Sequence, residues 1–158
     1  MSFSSSSPLL SRLRLWDVRL DERPHPDVLP SAFDVVRVGA GVGKPALDAL
    51  NAGEAGPVMV CTRHQLLFTP VPLGTADWWR AAHSQCRPGR QWLCMDPEDP
   101  QWSPVRCGPR LWLVPGRDCG ATTVPEALYE SLSRTRARLR TPTVRPRPVA
   151  LAELGVGA

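Results

Sequence analysis

Cysteine and histidine are the residues of this chain best suited to metal or acid–base chemistry. Five cysteines lie at positions 61, 86, 94, 107 and 119. With His83, the cysteines at 86, 94 and 107 supply the ligand types that zinc prefers, but their spacing matches no common zinc motif and C-x-x-C is absent. We therefore expect cysteines 61, 86 and 94 to be small buried hydrophobic residues, with no metal and no cofactor. Zinc is the alternative.

Cys61 and His64 supply the residue types of a thiol nucleophile and its base. Catalytic cysteine and histidine usually come from distant segments of a chain, because neighbours in sequence seldom reach the required geometry. We therefore predict a buried Cys61, a histidine at the rim of the fold and no catalytic residue.

A glycine-rich stretch runs through Gly39, Gly41 and Gly43 to Lys44, the only lysine of the chain. It follows a predicted strand and precedes a predicted helix, as a phosphate-binding loop would, but it matches neither nucleotide-binding glycine pattern. Pro45 stands where a magnesium-binding hydroxyl is needed. The stretch predicts a flexible glycine turn. The alternative is a weak anion or nucleotide site at the helix N-terminus, made by Gly41, Gly43 and Lys44.

The C-terminal fifth of the chain carries most of its net charge of +4. A run of like charge on a helix end and tail is typical of nucleic-acid contact, and equally of a solvated surface. Six tryptophans could stack on bases; we predict that they pack in the core, with Trp102 partly exposed. The candidate nucleic-acid-binding residues are Arg134, Arg136, Arg138, Arg140, Arg145 and Arg147.

A central unit of order β, α, β, β must position these residues. Phe33–Val38 is β-branched and aromatic, which predicts an interior strand with Val35 and Val36 buried. A short helix is expected from Pro45 to Leu50. Further strands are predicted near Leu13–Leu20 at a sheet edge, Val58–Cys61, Gln65–Val71, Gln91–Met95 and Leu111–Val114.

Two more helices are predicted after the central unit. Thr75 suits an N-cap, and Trp78, Ala82 and Cys86 share a face at spacings of four, which predicts a helix over 76–86. Thr123 and Glu126 have the spacing of a capping box before a helix that buries Leu128 and Leu132. The fold class is therefore α+β, with a small mixed sheet of four to six strands and two or three helices.

Length and composition indicate one domain of 158 residues, with many short connections because there are eighteen prolines. We expect a disordered N-terminus over 1–12, one α+β domain over 13–140 and a Pro/Arg-rich tail over 141–158. No apolar run is long enough to span a bilayer, and no signal peptide is evident. The chain is expected to be cytoplasmic, without a membrane partner or a disulfide framework.

Three segments resemble bacterial bifunctional primase–polymerase domains of the archaeo-eukaryotic primase superfamily. They read FDVVRVGAGVGKPALDAL, GPVMVCTRHQLLFTPVPLGTADWW and CGPRLWLVPG, and together they cover roughly residues 32–120. The resemblance implies that the first segment is the family's metal-binding strand and helix. It also implies that the second is the strand pair bearing a nucleotide-contacting histidine.

The chain departs from that family at the residues that carry catalysis. Active members end the first strand in Asp-x-Asp, whose acids hold two metal ions; the matching positions here are Arg37 and Gly39. Asp34 lies three residues early, and alternation points it and Arg37 to opposite faces. The family histidine falls on Gln65, beside His64. We therefore expect lost nucleotidyl transfer, with Arg37, His64 and Gln65 as remaining nucleotide-contact candidates.

The predicted function is a catalytically degenerate primase–polymerase-like domain that binds DNA weakly through its Arg-rich C-terminus. One alternative is a non-enzymatic regulatory or scaffolding protein that binds a partner protein through the Pro/Arg tail. Another is an active nucleotidyltransferase that uses other acids.

Overall fold

The computed structural model of the chain describes residues 16–19, 26, 28–89, 94, 107, 110–116 and 119–141. Several features predicted from the sequence lie outside these residues. They are the N-terminal segment 1–12, most of the strand at 91–95, Trp92, Trp102, and the tail beyond Thr141 with Arg145 and Arg147. In chain order the elements are β1 (Trp16–Arg19), β2 (Asp34–Gly39), α1 (Ala40–Asp48), β3 (Val58–Cys61), β4 (Leu66–Val71), α2 (Thr75–Trp78), β5 (Ser84–Pro88), β6 (Arg110–Pro115) and α3 (Pro125–Arg140).

The six strands form one sheet in the order β1-β6-β3-β4-β2-β5. The α+β fold class is confirmed, with six strands and three helices in the described residues. Every pairing in this sheet is antiparallel, whereas the sequence indicated mixed strand directions. The connections explain the difference, because short turns such as 62–65 between β3 and β4 can join only antiparallel neighbours.

Strand β2 lies between β4 and β5, and the predicted burial of Val35 and Val36 is confirmed. Alternation along the strand sends its side chains to both sides of the sheet. Val36 and Val38 pack with Leu47 and Leu128 in the main core, on the side that α1 and α3 cover. We call this side the helix face.

The opposite side of the sheet carries a second, smaller core, which we call the cysteine face. Its buried residues come from three central strands and the start of β2, with partly buried Leu29, Leu66 and Cys94 packed against them. The described residues place no helix in this cluster. The buried members are Phe33, Val35, Met59, Cys61, Phe68 and Trp112.

Helix α1 begins at Ala40, directly after β2, so the predicted flexible glycine turn is wrong. The Ala40 N–H donates to the Gln65 carbonyl (2.8 Å), and Gly41 and Gly43 lie inside the helix. A Cβ on Gly43 would come within 2.7 Å of Val38 Cγ1. The missing side chain therefore lets the helix lie close to the sheet, and packing overrides the low helix propensity of glycine.

The helix predicted over 76–86 is also wrong. Only Thr75–Trp78 is helical, and Ser84–Pro88 forms β5, which pairs with β2 at the edge of the sheet. His83 has a positive φ of 57°, which turns the chain into the strand. The N–H and C=O groups of β2 take β5 as partner, so a ladder of long-range hydrogen bonds outweighs local periodicity.

Helix α3 confirms the predicted burial of Leu128 and Leu132, but not the capping box. The Thr123 hydroxyl accepts a hydrogen bond from the buried Gly56 N–H (3.0 Å) instead of capping the helix. Ser131 Oγ donates to the Ala46 carbonyl (2.6 Å), which ties α3 to α1. Among the described residues, no helix has the length and apolar character needed to cross a bilayer.

Candidate metal centre and basic surface

Four soft ligands meet on the cysteine face. Cys61 Sγ lies 3.3 Å from His64 Nδ1, and Cys107 Sγ lies 3.5 Å from the same nitrogen. The sulfur atoms of Cys94 and Cys107 are 3.4 Å apart. All four ligand atoms lie within 4.8 Å of one another, and no other described residues form such a group of at least three.

The β3–β4 turn places the first two ligands. Cys61 is the last residue of β3, and the turn over 62–65 carries His64 back beside it. Gln65 closes the turn with a left-handed φ of 54°, and its side-chain nitrogen donates to the Thr62 carbonyl (2.6 Å). The tight turn therefore brings the two side chains of the C-x-x-H pair, Cys61 and His64, into contact.

The other two ligands come from beyond β5. Cys94 and Cys107 lie between β5 and β6, and Arg110 starts β6 directly opposite Cys61 in the sheet register. Arg110 NH2 lies 3.5 Å from Cys94 Sγ and 3.6 Å from Cys107 Sγ. Its guanidinium stacks over the Phe68 ring, 5.3 Å from the centroid, which holds this cation against the sulfur atoms.

The two sulfur atoms next to Arg110 differ in environment. Burial is the largest cause that raises the pKa of Cys94, to about 12, and contacts with Cys107 and Cys61 add to it. Burial also opposes ionisation of Cys107, but hydrogen bonds from Arg110, Cys94 and Cys61 outweigh it and lower the pKa of Cys107 to about 7. Arg110 thus favours negative charge on the more exposed sulfur.

The zinc alternative considered from sequence combined the wrong residues. His83 is exposed, and Cys86 lies on β5 and packs against the helix-face core. Burial, followed by the charge of Asp34, raises the pKa of Cys86 to about 12. Only Cys94 and Cys107 of that set reach the cluster. The signal that sequence reasoning passed over is the C-x-x-H pair in a predicted hairpin turn.

Cys61 and His64 are in contact, although neighbours along the chain seldom reach the geometry of a catalytic pair. The Cys61 side chain is fully buried, as predicted, and His64 is half-buried. The Cys61 sulfur therefore has no exposed surface at which it could attack a substrate. Its surroundings suit a bound ion better than a reacting molecule.

The predicted nucleotide-contact residues are distributed over separate parts of the fold. Arg37 donates to the Gln85 side-chain oxygen (2.6 Å) on the neighbouring strand. Gly43 is buried on the side of α1 that faces the sheet, while Gly41 and Lys44 are exposed on that helix. His64 belongs to the cysteine cluster, and Gln65 closes the adjoining turn. Anion binding by these residues stays a prediction.

Asp34 has a structural role that the sequence did not predict. Its buried carboxylate accepts hydrogen bonds from the Gly74 N–H (3.0 Å) and the Ala76 N–H (2.9 Å). These bonds fasten the start of α2 to β2. The two backbone N–H groups at the start of α2 therefore occupy the hydrogen-bonding capacity of this carboxylate oxygen.

The last turns of α3 form a basic surface. Arg134 pairs with Glu130, four residues earlier. Arg138 and Arg140 are exposed, and Arg136 is partly exposed. In the sequence, no acid occurs between Ser131 and Ala152.

No protein-family model matches this chain, and neither a curated protein nor a solved structure is significantly similar to it.

Proposed function

We propose that this chain is a non-catalytic, primase–polymerase-like domain that binds single-stranded DNA through the arginines at the end of α3. The observation that carries the proposal is the basic surface at the end of α3, where the sequence has no acid from Ser131 to the end of the helix. Arg136 and Arg140 lie toward one side of the helix and Arg138 toward the other. Long cations on adjacent helical turns can contact phosphates without a shaped pocket. Such binding depends on charge and is independent of base sequence.

The surroundings of β2 support the absence of catalysis. Two-metal phosphoryl transfer needs acids that meet at one point. Arg37 and Gly39 occupy the positions where the resembling family has those acids, and Arg37 is hydrogen-bonded to Gln85. The only acid of β2, Asp34, is buried and bonded to backbone N–H groups at the start of α2.

A salt titration tests the proposal. Binding of a fluorescein-labelled single-stranded oligonucleotide is followed by anisotropy at several salt concentrations from about 50 to 200 mM. Two or three phosphate contacts predict a log–log slope of about −1.4 to −2.1, since each contributes about −0.7. Magnesium-dependent primer extension by the same preparation should be absent.

Matched variants separate a local basic surface from net charge. Replacing two exposed arginines of α3 by glutamine removes two positive charges, and the control removes two exposed ones elsewhere. The α3 variant should lose most of its affinity and flatten the slope, whereas the control should change little. A flat titration of the intact chain at about 50 mM salt would overturn the proposal and favour a partner-protein role. The test set is Arg138 and Arg140, and the control set is Arg63 and Arg80.

A further inference from the structure

We propose that Cys61, His64, Cys94 and Cys107 form a structural zinc site that fastens the segment between β5 and β6 onto the cysteine face. The inference rests on the geometry of these residues and is independent of nucleic-acid binding. It contradicts our expectation from sequence that the chain holds no metal.

The dimensions of the cluster match a tetrahedral zinc shell. Zinc–sulfur bonds of about 2.3 Å and zinc–nitrogen bonds of about 2.0 Å place ligand atoms roughly 3.5–3.8 Å apart in a tetrahedron. The contacts that join His64 to Cys61 and Cys107, and Cys94 to Cys107, measure 3.3, 3.5 and 3.4 Å. No pair exceeds 4.8 Å. Movements of about 1 Å or less would therefore seat the ion.

The ligand types select zinc over the hard cations. The cluster holds three sulfur atoms and one imidazole nitrogen and lacks a carboxylate. Magnesium and calcium prefer oxygen ligands, whereas Cys₃His is a common shell of structural zinc. All four tetrahedral positions come from side chains, so no position stays open for water or substrate. A closed shell of this kind stabilises a fold and does not activate a substrate.

Arg110 supplies the charge that such a shell needs. Three thiolates around a divalent ion leave a net charge of −1, which is costly to bury without a partner. Arg110 lies 3.5 Å from the sulfur of Cys94 and 3.6 Å from that of Cys107, and its guanidinium packs on the Phe68 ring. Outer-shell partners of this kind orient and tune metal ligands. The zinc, its ligands and Arg110 would together be neutral.

The position of the site indicates its role. Cys61 and His64 belong to the central β3–β4 hairpin, whereas Cys94 and Cys107 lie on the long connection from β5 to β6. Cys94 packs against the small core of the cysteine face. A bound ion would join this connection to the sheet at two points and so cover a face on which the described residues place no helix.

Metal content of the full-length chain tests the inference. The protein is produced without a histidine tag in zinc-supplemented medium and dialysed under reducing conditions against metal-free buffer. We expect one zinc per chain by elemental analysis. Cobalt substitution should give the visible absorption of tetrahedral thiolate coordination. Removal of the ion by a strong chelator should lower the melting temperature, because the energy of metal binding adds to that of folding.

Two cysteine variants distinguish ligation from general thiol chemistry. Cys107→Ser removes an exposed ligand, so the variant should fold, as circular dichroism will verify, but should retain little zinc and lack the cobalt signal. Cys119→Ser, outside the cluster, should keep one zinc. Equal zinc content in the two variants would overturn the inference. A wild-type protein that contains no metal would also overturn the inference, both if all its cysteines are reduced and if Cys94 and Cys107 form a disulfide.

Discussion

The two glycines of α1 should respond in opposite ways to alanine. A Cβ on Gly41 would meet no atom within 4 Å, whereas a Cβ on Gly43 would lie 2.7 Å from Val38 Cγ1 and 2.8 Å from Leu67 Cδ1. Both residues lie in the helix and neither needs a positive φ. The pair therefore separates helix propensity from packing at two sites of the same element.

The magnitudes follow from these contacts. Alanine in place of glycine favours a helix by about 0.5–1 kcal/mol, and less in its first turn, where Gly41 lies. We expect Gly41→Ala to raise the free energy of unfolding by a few tenths to about 1 kcal/mol. Overpacking a core costs about 1–3 kcal/mol, and the β-branched Val38 yields little at χ1. Gly43→Ala should therefore be less stable than Gly41→Ala by roughly 1–3 kcal/mol.

Urea unfolding with fluorescence detection measures both variants against wild type. Thermal unfolding should separate them by about 3 °C per kcal/mol in a domain of this size. Leu67→Val removes one of the opposing atoms, so it should cost less in the Gly43→Ala background than alone. Equal stability of the two alanine variants would refute the proposed packing of α1 on β2 and β4.

Two buried threonines and one buried acid provide further predictions. Thr69→Val should stabilise the fold by about 1 kcal/mol, because the described residues offer its buried hydroxyl no hydrogen-bond partner. Thr123→Val should instead destabilise the fold by about 1–3 kcal/mol, since the Gly56 N–H loses its acceptor. If urea unfolding showed that both threonine variants change the free energy of unfolding in the same direction, this reasoning would be contradicted. Asp34→Ala should cost about 2–4 kcal/mol by removing a charged acceptor from two N–H groups, while the exposed Asp77→Ala should change stability by less than about 0.5 kcal/mol. A thermal melt of Asp34→Ala like that of wild type would rule out the anchoring role of the carboxylate.

Local patterns in the sequence were enough to predict those helices and strands in which the apolar residues repeat with the period of the element that buries them. The β-branched run of β2, the apolar strands β3 and β6, and the spacing of Leu128 and Leu132 in α3 each predict the observed element. In these segments, side chains repeat with the period of the structure that buries them.

Tertiary contacts decided the remaining features. Gly43 is helical because its missing side chain lets α1 pack close to Val38. Ser84–Pro88 is a strand because the backbone groups of β2 on that side pair with it. The four-ligand cluster joins residues up to 46 positions apart, so no local pattern contains it. Cys61 and His64 meet through a turn, and Cys107 reaches them because β6 pairs with β3 and brings its N-terminal end beside Cys61. Cys94 then joins the cluster through its contact with Cys107. Sheet register is a long-range property, so local sequence patterns do not bring these separated cysteines together.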